Sequence, residues 1–466
     1  MTWITLILLS VILGFAAVQR AAVDPHDWNI CLVAIGILSV LHFAIPPRKK
    51  TAALDRTSAS IMAAFVALVG FQLVPLPISL IRILSPARAE LAVATAMLDG
   101  AAPRYTGLSV APEPTTEYVL TIVGCTLIFL LVRDLALRTR EAPWIVSWPL
   151  LAIGALEAVL GIYQSNLMGQ QSRASGTYAS PDHYAALLEM ILPIPALYAA
   201  AVLLRQDRRH SDSIAPALQA SALLSAAAAM LVGIIFSLSR MGFLVVLATI
   251  FLAAAAGIAL RKGPIEHDRP VSRWRWAIPL PIVAVVVILA FIYLPTDPLV
   301  WRFADLAKTE DISADTRAQI WRDTSGLIKA FPWFGCGLGA YESGLYQFKT
   351  AGPMNTVDYA HNDFLQILAE TGIVGFLLSA LFVGRLMLKT ARTAAWSRSL
   401  DRRFSALASI AAIVAILLHS LVDFNLYVPA NDMAFAWILG VAGANLRREP
   451  ADKPAKDSLS YAVSHL

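Results

Sequence analysis

Only three cysteines, Cys31, Cys125 and Cys336, occur in 466 residues, and no two are spaced as a metal-binding or redox pair. Neither a disulfide framework nor a cysteine–zinc site can be built from them. Charge is scarce too. Asp, Glu, Lys and Arg supply 15% of the chain against 58% hydrophobic residues, with a mean hydropathy of +0.65. That balance excludes a water-soluble globular protein. No internal repeat or low-complexity segment stands out. The first apolar run has no basic segment ahead of it, so a retained anchor is expected rather than a cleaved signal peptide.

What is present is a succession of apolar runs of membrane-spanning length. They fall at residues 2–18, 28–46, 59–80, 116–132, 144–163, 183–204, 215–236, 241–260, 277–295, 363–384, 404–421 and 430–446. The expected fold is all-α and polytopic, with about twelve spans. The expected organisation is a first block of spans over 1–295, a large outer loop over 296–362, spans again over 363–446, and a tail over 447–466.

Orientation follows from the basic residues. With a cytoplasmic N-terminus, six inner segments hold 25 of the 37 Lys and Arg residues, which is the positive-inside bias. The same distribution answers the basic pI of about 9.1. The cations are topology signals spread over six short segments, not one nucleic-acid-binding patch.

This topology sends the conspicuous polar residues to the outer face. Residues 173–184 (RASGTYASPDHY) carry Arg173 and His183, and the junction FSLSRMGF places Arg240 at the lip of the bilayer. An arginine there either anchors a helix end or offers its planar fork to a phosphate. Within the large loop, SADTRAQIWRDTSGLIKAF predicts a helix capped by Ser313 and stopped by Pro332. Arg317 and Trp321 share a face of it. Arg317 pairs either with a neighbouring acid or with a ligand. The glycines Gly335, Gly337 and Gly339 behind it predict a flexible turn.

The most informative stretch is YAHNDFLQILAETGIVGF, residues 359–376. His361, Asn362 and Asp363 stand where the polar loop turns into an apolar helix. An imidazole in a first helical turn is held neutral by the helix dipole, as a general base requires. The same trio also reads as a helix cap. Asp363, Gln366 and Glu370 run as a polar stripe down one face, costly in a membrane unless paired. His419 and Asp423, four apart in HSLVDFNLYVPAND, predict a hydrogen-bonded pair that either locks two helices or takes part in chemistry.

With these motifs assembled, the chain resembles the O-antigen ligase/polymerase family of bacterial envelope glycosyltransferases. The resemblance rests on RASGTY, SLSR, the Arg317–Trp321 helix ending in FPWFGCGLG, HNDFLQILAETGIVG and HSLVDFNL. It implies a multi-pass protein of the bacterial inner membrane acting on the periplasmic side. An undecaprenyl-pyrophosphate-linked glycan would be passed to an acceptor hydroxyl. His361 is similar to the family's loop histidine, and Arg173, Arg240 and Arg317 to its phosphate-binding arginines, with Asn362, Asp363, Glu370, His419 and Asp423 in support. No Asp-x-Asp pair occurs in the outer segments, so arginines in place of a metal, and no cofactor, are expected. The partners implied are the lipid-linked glycan, membrane lipid and an acceptor. That acceptor is the lipid A core for a ligase, read slightly ahead, or a second lipid-linked unit for a polymerase. A transporter of lipid-linked glycans is the rival from another class; it would place charges along its spans.

Overall fold

The computed structural model describes residues 2–45, 51–98, 103–139, 143–167, 173–209, 214–249, 314–350 and 356–444. Among them the chain is helical apart from a pair of two-residue strands, Leu76–Pro77 against Tyr105–Thr106. The helices are α1 (Thr2–Val18), α2 (Pro25–Ala44), α3 (Arg56–Phe71), α4 (Ile78–Leu84), α5 (Pro86–Leu98), α6 (Pro112–Arg138), α7 (Trp148–Leu167), α8 (Pro181–Ile191), α9 (Pro193–Arg209) and α10 (Ala215–Phe236). They continue with α11 (Arg240–Thr249), α12 (Ala314–Ala330), α13 (Tyr341–Leu345), α14 (Asp363–Trp396), α15 (Leu400–His419) and α16 (Pro429–Ala444). Among the described residues, seven segments are long and apolar enough to cross a membrane. The all-α, multi-span expectation holds.

Boundaries differ from the expectation at several points. The run 59–80 is not one helix: α3 ends at Phe71 and the chain enters the small strand pair before α4 begins. The run 183–204 holds as one span, Pro181–Arg205, with only a local interruption at Leu192 where Pro193 lacks a ladder donor. The run 430–446 is a 16-residue helix, α16, buried at nearly every position. The span 277–295, most of 241–260, Ser313 and the tail lie outside the described residues.

Sequence sets the helix starts. Asp55 caps α3 by accepting from the Ser58 amide, Ser180 caps α8 with Pro181 behind it, and Asn362 caps α14 by accepting from the Leu365 amide. Small residues let α16 sit against α6: a Cβ on Gly440 would lie 2.8 Å from the Val132 Cβ. Trp437 is fully buried and donates to the Val146 carbonyl.

The two ends of the bundle differ in chemistry. At one, Asp401 joins Trp144 and Arg205, Asp55 joins Arg385 and Lys389, and Asp134 joins His42, Thr51 and Arg138. These acids tie down the loops that the charge bias reads as inner. The opposite end gathers the residues singled out above.

The helices carry acids within their apolar lengths. Glu157, Glu189 and Glu370 are buried within helices and Asp432 is half-buried in one. Each finds a partner: Thr177, His419, Tyr427 and Cys125 respectively.

Candidate functional site

Helix α14 does not run straight. Gly372 takes φ 64°, ψ −174° and breaks it about two and a half turns after its start. The break frees carbonyls, and the segment after α12 takes them. The amides of Cys336 and Gly337 donate to Ala369 and Glu370 at 2.9 and 3.0 Å, while Ile373 donates back to Pro332 at 2.9 Å. Gln72 closes the seam, its amide nitrogen bonding the Phe334 and Glu370 carbonyls and its oxygen accepting from Leu338. Gly335, Gly337 and Gly339, at φ 71°, 114° and 77°, have no room for a side chain. The glycine run is therefore a locked seam and not a flexible turn.

That seam fixes the start of α14. The polar stripe is spent on holding it. Asp363 Oδ2 accepts from Ser420 Oγ at 2.5 Å and the Leu426 amide at 3.2 Å; Gln366 Oε1 accepts from the Ala360 amide; Glu370 Oε2 accepts from Tyr427 at 2.6 Å. Burial, then the neighbouring Glu370, pushes the Tyr427 phenol well up, so it remains a donor. Asn362 donates to the Leu421 carbonyl while capping the helix. Residues 420–428 are thus clamped onto residues 360–370.

His361 lies one residue before that cap, outside the first turn where the sequence reading put it. Its backbone is left-handed, φ 48°, a conformation that non-glycine residues adopt at a cost and often at functional sites. The conformation brings its Nδ1 to 3.6 Å from Asp423 Oδ1. His183 approaches the same oxygen at 3.8 Å, and both rings stand edge-on to Phe424. Burial acts to push the Asp423 carboxyl up, but the imidazoles of His183 and His361 outweigh it and hold the group well below the usual range. An ionised carboxylate therefore sits between two imidazoles.

His419 and Asp423 are not the hydrogen-bonded pair expected. Helix α15 ends at His419, so the four-residue spacing no longer places the two on one helix face. They stand 3.9 Å apart. His419 instead bonds Glu189 of α8 at 3.0 Å, both fully buried. Glu189 escaped the sequence reading because a lone glutamate inside an apolar run carries no motif.

The three arginines fall into two groups. Arg173 donates from Nε to the Ser237 carbonyl and from Nη2 to Asp182, each at 2.8 Å. This brings it to the turn that starts α11 with Arg240. Behind it the RASGTY loop hangs on Glu157, whose carboxylate accepts from the Thr177 amide and hydroxyl at 2.9 and 2.7 Å. Gly176, at φ 57°, is required there, since a Cβ would lie 2.1 Å from Glu157 Oε2. Arg317 belongs to the other group. Trp321, one turn on, donates to the carbonyl of Ala360, the residue before His361. That contact seats the Arg317 face of α12 beside the histidine loop. The Arg317 Nε is buried without a hydrogen-bond partner, and so is His361 Nδ1.

Among the described residues, no set of three or more His, Cys, Asp or Glu side chains is arranged to hold a metal ion. No curated protein matched the chain. A family model described as O-antigen ligase matches residues 225–383, a segment that contains Arg240, Arg317, His361 and the whole seam between α12 and α14. Residues 225–383 of the chain are thus similar to the O-antigen ligase family.

Proposed function

We propose that the chain transfers a glycan from a lipid pyrophosphate to an acceptor hydroxyl on the outer side of the bacterial inner membrane. The observation that carries this reading is the pairing of His361 with an ionised Asp423. A carboxylate at Nδ1 orients an imidazole and stabilises the imidazolium it becomes, leaving Nε2 as the base. At 3.6 Å the contact is an ion pair and not a hydrogen bond.

In the step proposed, Nε2 takes the acceptor's hydroxyl proton as the acceptor oxygen attacks the anomeric carbon. The bond from that carbon to the diphosphate oxygen breaks, and the lipid diphosphate leaves with the bonding electrons. Its added charge needs cations. Arg317, with an unpartnered buried Nε beside the histidine loop, is the first candidate, followed by Arg240 and Arg173. Attack opposite the leaving group inverts the anomeric centre. Asn362, Asp363, Glu370 and His419 hold the frame.

A ligase acceptor, the lipid A core, stays the preferred reading, with a polymerase as the alternative. Both share the leaving group, so the frame serves either. His361→Ala in a folded, inserted protein tests the chemistry: transfer from lipid-linked donor should fall by about 10²–10⁴-fold, the range for a general base. Wild-type transfer would remove His361 from the mechanism. A lipopolysaccharide gel of a deletion strain separates the acceptors. Loss of all capped material with long lipid-linked chains retained means ligase; core plus one repeat means polymerase.

A further inference from the structure

Asp423 is the meeting point of three imidazoles, and the step proposed above uses one of them. His361 Nδ1 lies 3.6 Å from its Oδ1, His183 Nε2 lies 3.8 Å from the same oxygen, and His419 Nε2 lies 3.9 Å from Oδ2. One carboxylate suffices to orient one base. The other two imidazoles need a separate account. His419 has one: its side chain is 1% exposed and its Nδ1 bonds Glu189, so it ties α15 to α8 and meets no ligand. His183 has no part in the step so far.

His183 is held in place and yet reaches the surface. Its carbonyl accepts from Asn431 Nδ2 at 3.1 Å, and the Asn431 side-chain oxygen accepts from the Tyr178 hydroxyl at 3.1 Å. Its ring stands edge-on to Phe424 at 4.7 Å, as that of His361 does at 5.0 Å. The side chain is 12% exposed, against 18% for His361. No described residue hydrogen-bonds its Nδ1, yet that atom is not among those buried without a partner. The nitrogen turned away from Asp423 is therefore open to a ligand.

The neighbours indicate an anion. Asp182, the preceding residue, is the carboxylate that Arg173 bonds, and Arg173 also bonds the Ser237 carbonyl at the turn leading to Arg240. His183 thus links these arginines to the carboxylate that orients the base. An ionised carboxylate only accepts, so the nitrogen facing it, Nε2, carries a proton. Donation from Nδ1 as well makes the ring an imidazolium with Asp423 as its counter-charge, and such a donor suits a phosphate oxygen.

We infer that His183 is a second catalytic residue, its Nδ1–H donating to an oxygen of the leaving lipid diphosphate from the side of Arg173. This assignment rests on the transfer reading above. The proton stays on Nδ1, because a diphosphate oxygen is a weak base. The bond that breaks is still the one from the anomeric carbon to the diphosphate oxygen, and its electrons leave with the diphosphate. Asp423 then serves both ends of the displacement, through His361 at the acceptor and His183 at the leaving group.

The test measures retention of undecaprenyl diphosphate, against undecaprenol, by the immobilised full chain in detergent. Two substitutions divide the ring between them. His183→Gln puts an amide nitrogen near the position of Nε2, keeping the Asp423 contact without the outward donor. His183→Asn puts one near Nδ1, keeping the donor without the contact. His183→Gln should weaken the diphosphate about 10–100-fold, the range of one hydrogen bond to a charged group, and leave undecaprenol unchanged. His183→Asn should hold the diphosphate more tightly than His183→Gln. Wild-type affinity in His183→Gln, or a weaker His183→Asn, overturns the proposal and leaves His183 as a partner of Asp423 alone. Should His183→Gln lower the unfolding midpoint, His183→Phe, which keeps a ring against Phe424, takes its place with the same expected loss. A wild-type chain that holds the alcohol as well as the diphosphate overturns the donor reading together with this one. A His361→Ala variant that still transfers glycan would refute the base assignment and leave the His183 result standing.

Discussion

Gly335 and Glu370 meet backbone to backbone: a Cβ built on Gly335 would lie 2.1 Å from the Glu370 carbonyl carbon. Between them the segment after α12 is joined to the break in α14, and the frame of His361 is built on that join. The FPWFGCGLG and ETG motifs, far apart in sequence, are two halves of one structural device.

Gly335→Ala and Gly372→Ala should therefore destabilise the protein. Left-handed backbone alone costs about 1–3 kcal/mol, and the clash adds to it. Gly384→Ala, in open space on a helix, should be neutral or stabilising by about 0.5–1 kcal/mol. Thermal unfolding in detergent ranks the three. Equal midpoints for Gly335→Ala and Gly384→Ala would show that the seam is not tightly packed.

Glu157→Leu tests how the RASGTY loop is held. Both carboxylate oxygens meet Thr177, and an apolar side chain leaves the Thr177 amide without its acceptor. A loss of about 1–3 kcal/mol is expected, together with slower transfer, because Arg173 rides on that loop. Donor turnover measured at matched expression checks the second part.

Lysine scanning separates the arginines. Arg173→Lys should lower stability, since the guanidinium bridges Ser237 and Asp182 in a way an ammonium cannot reproduce. Arg317→Lys should leave unfolding nearly unchanged, because its Nε makes no bond within the fold, and should still slow turnover. Near-normal turnover for Arg317→Lys and Arg240→Lys would make both of them anchors and send the search for a diphosphate clamp to Arg322 and Lys329.

Asp423 predicts a pH effect of definite sign. Its folded value lies below the ordinary carboxylate range, so the ionised group contributes stability above about pH 3.9. The contribution is lost as pH falls through the lower folded value. Asp423→Asn should be less stable than wild type at pH 7, and the gap should narrow below about pH 4. An identical gap at pH 7 and pH 3 would contradict the assignment.

Much of this was legible from the linear chain. Long apolar runs can only be buried in lipid or in each other, so the all-α, multi-span fold follows from composition and spacing. The cap at Asn362 marks a helix start by local hydrogen bonding alone. The motif around residues 359–376 marks the end of the bundle where the candidate site lies, and Trp321 lies on the face of α12 that meets it. These are short-range properties, encoded within a turn or two.

What the tertiary structure decided is which distant groups share a charge or a hydrogen bond. Glu157 and Glu189 are solitary acids in apolar helices, and nothing near them in sequence names Thr177 or His419 as partners. His419 and Asp423 look paired only if a helix continues through both, and it stops at His419. His183 meets Asp423 across two helices, because α8 and the 420–428 turn pack on one another. A cavity along α14 has no sequence signature at all. It exists because helices far apart in sequence leave space between them.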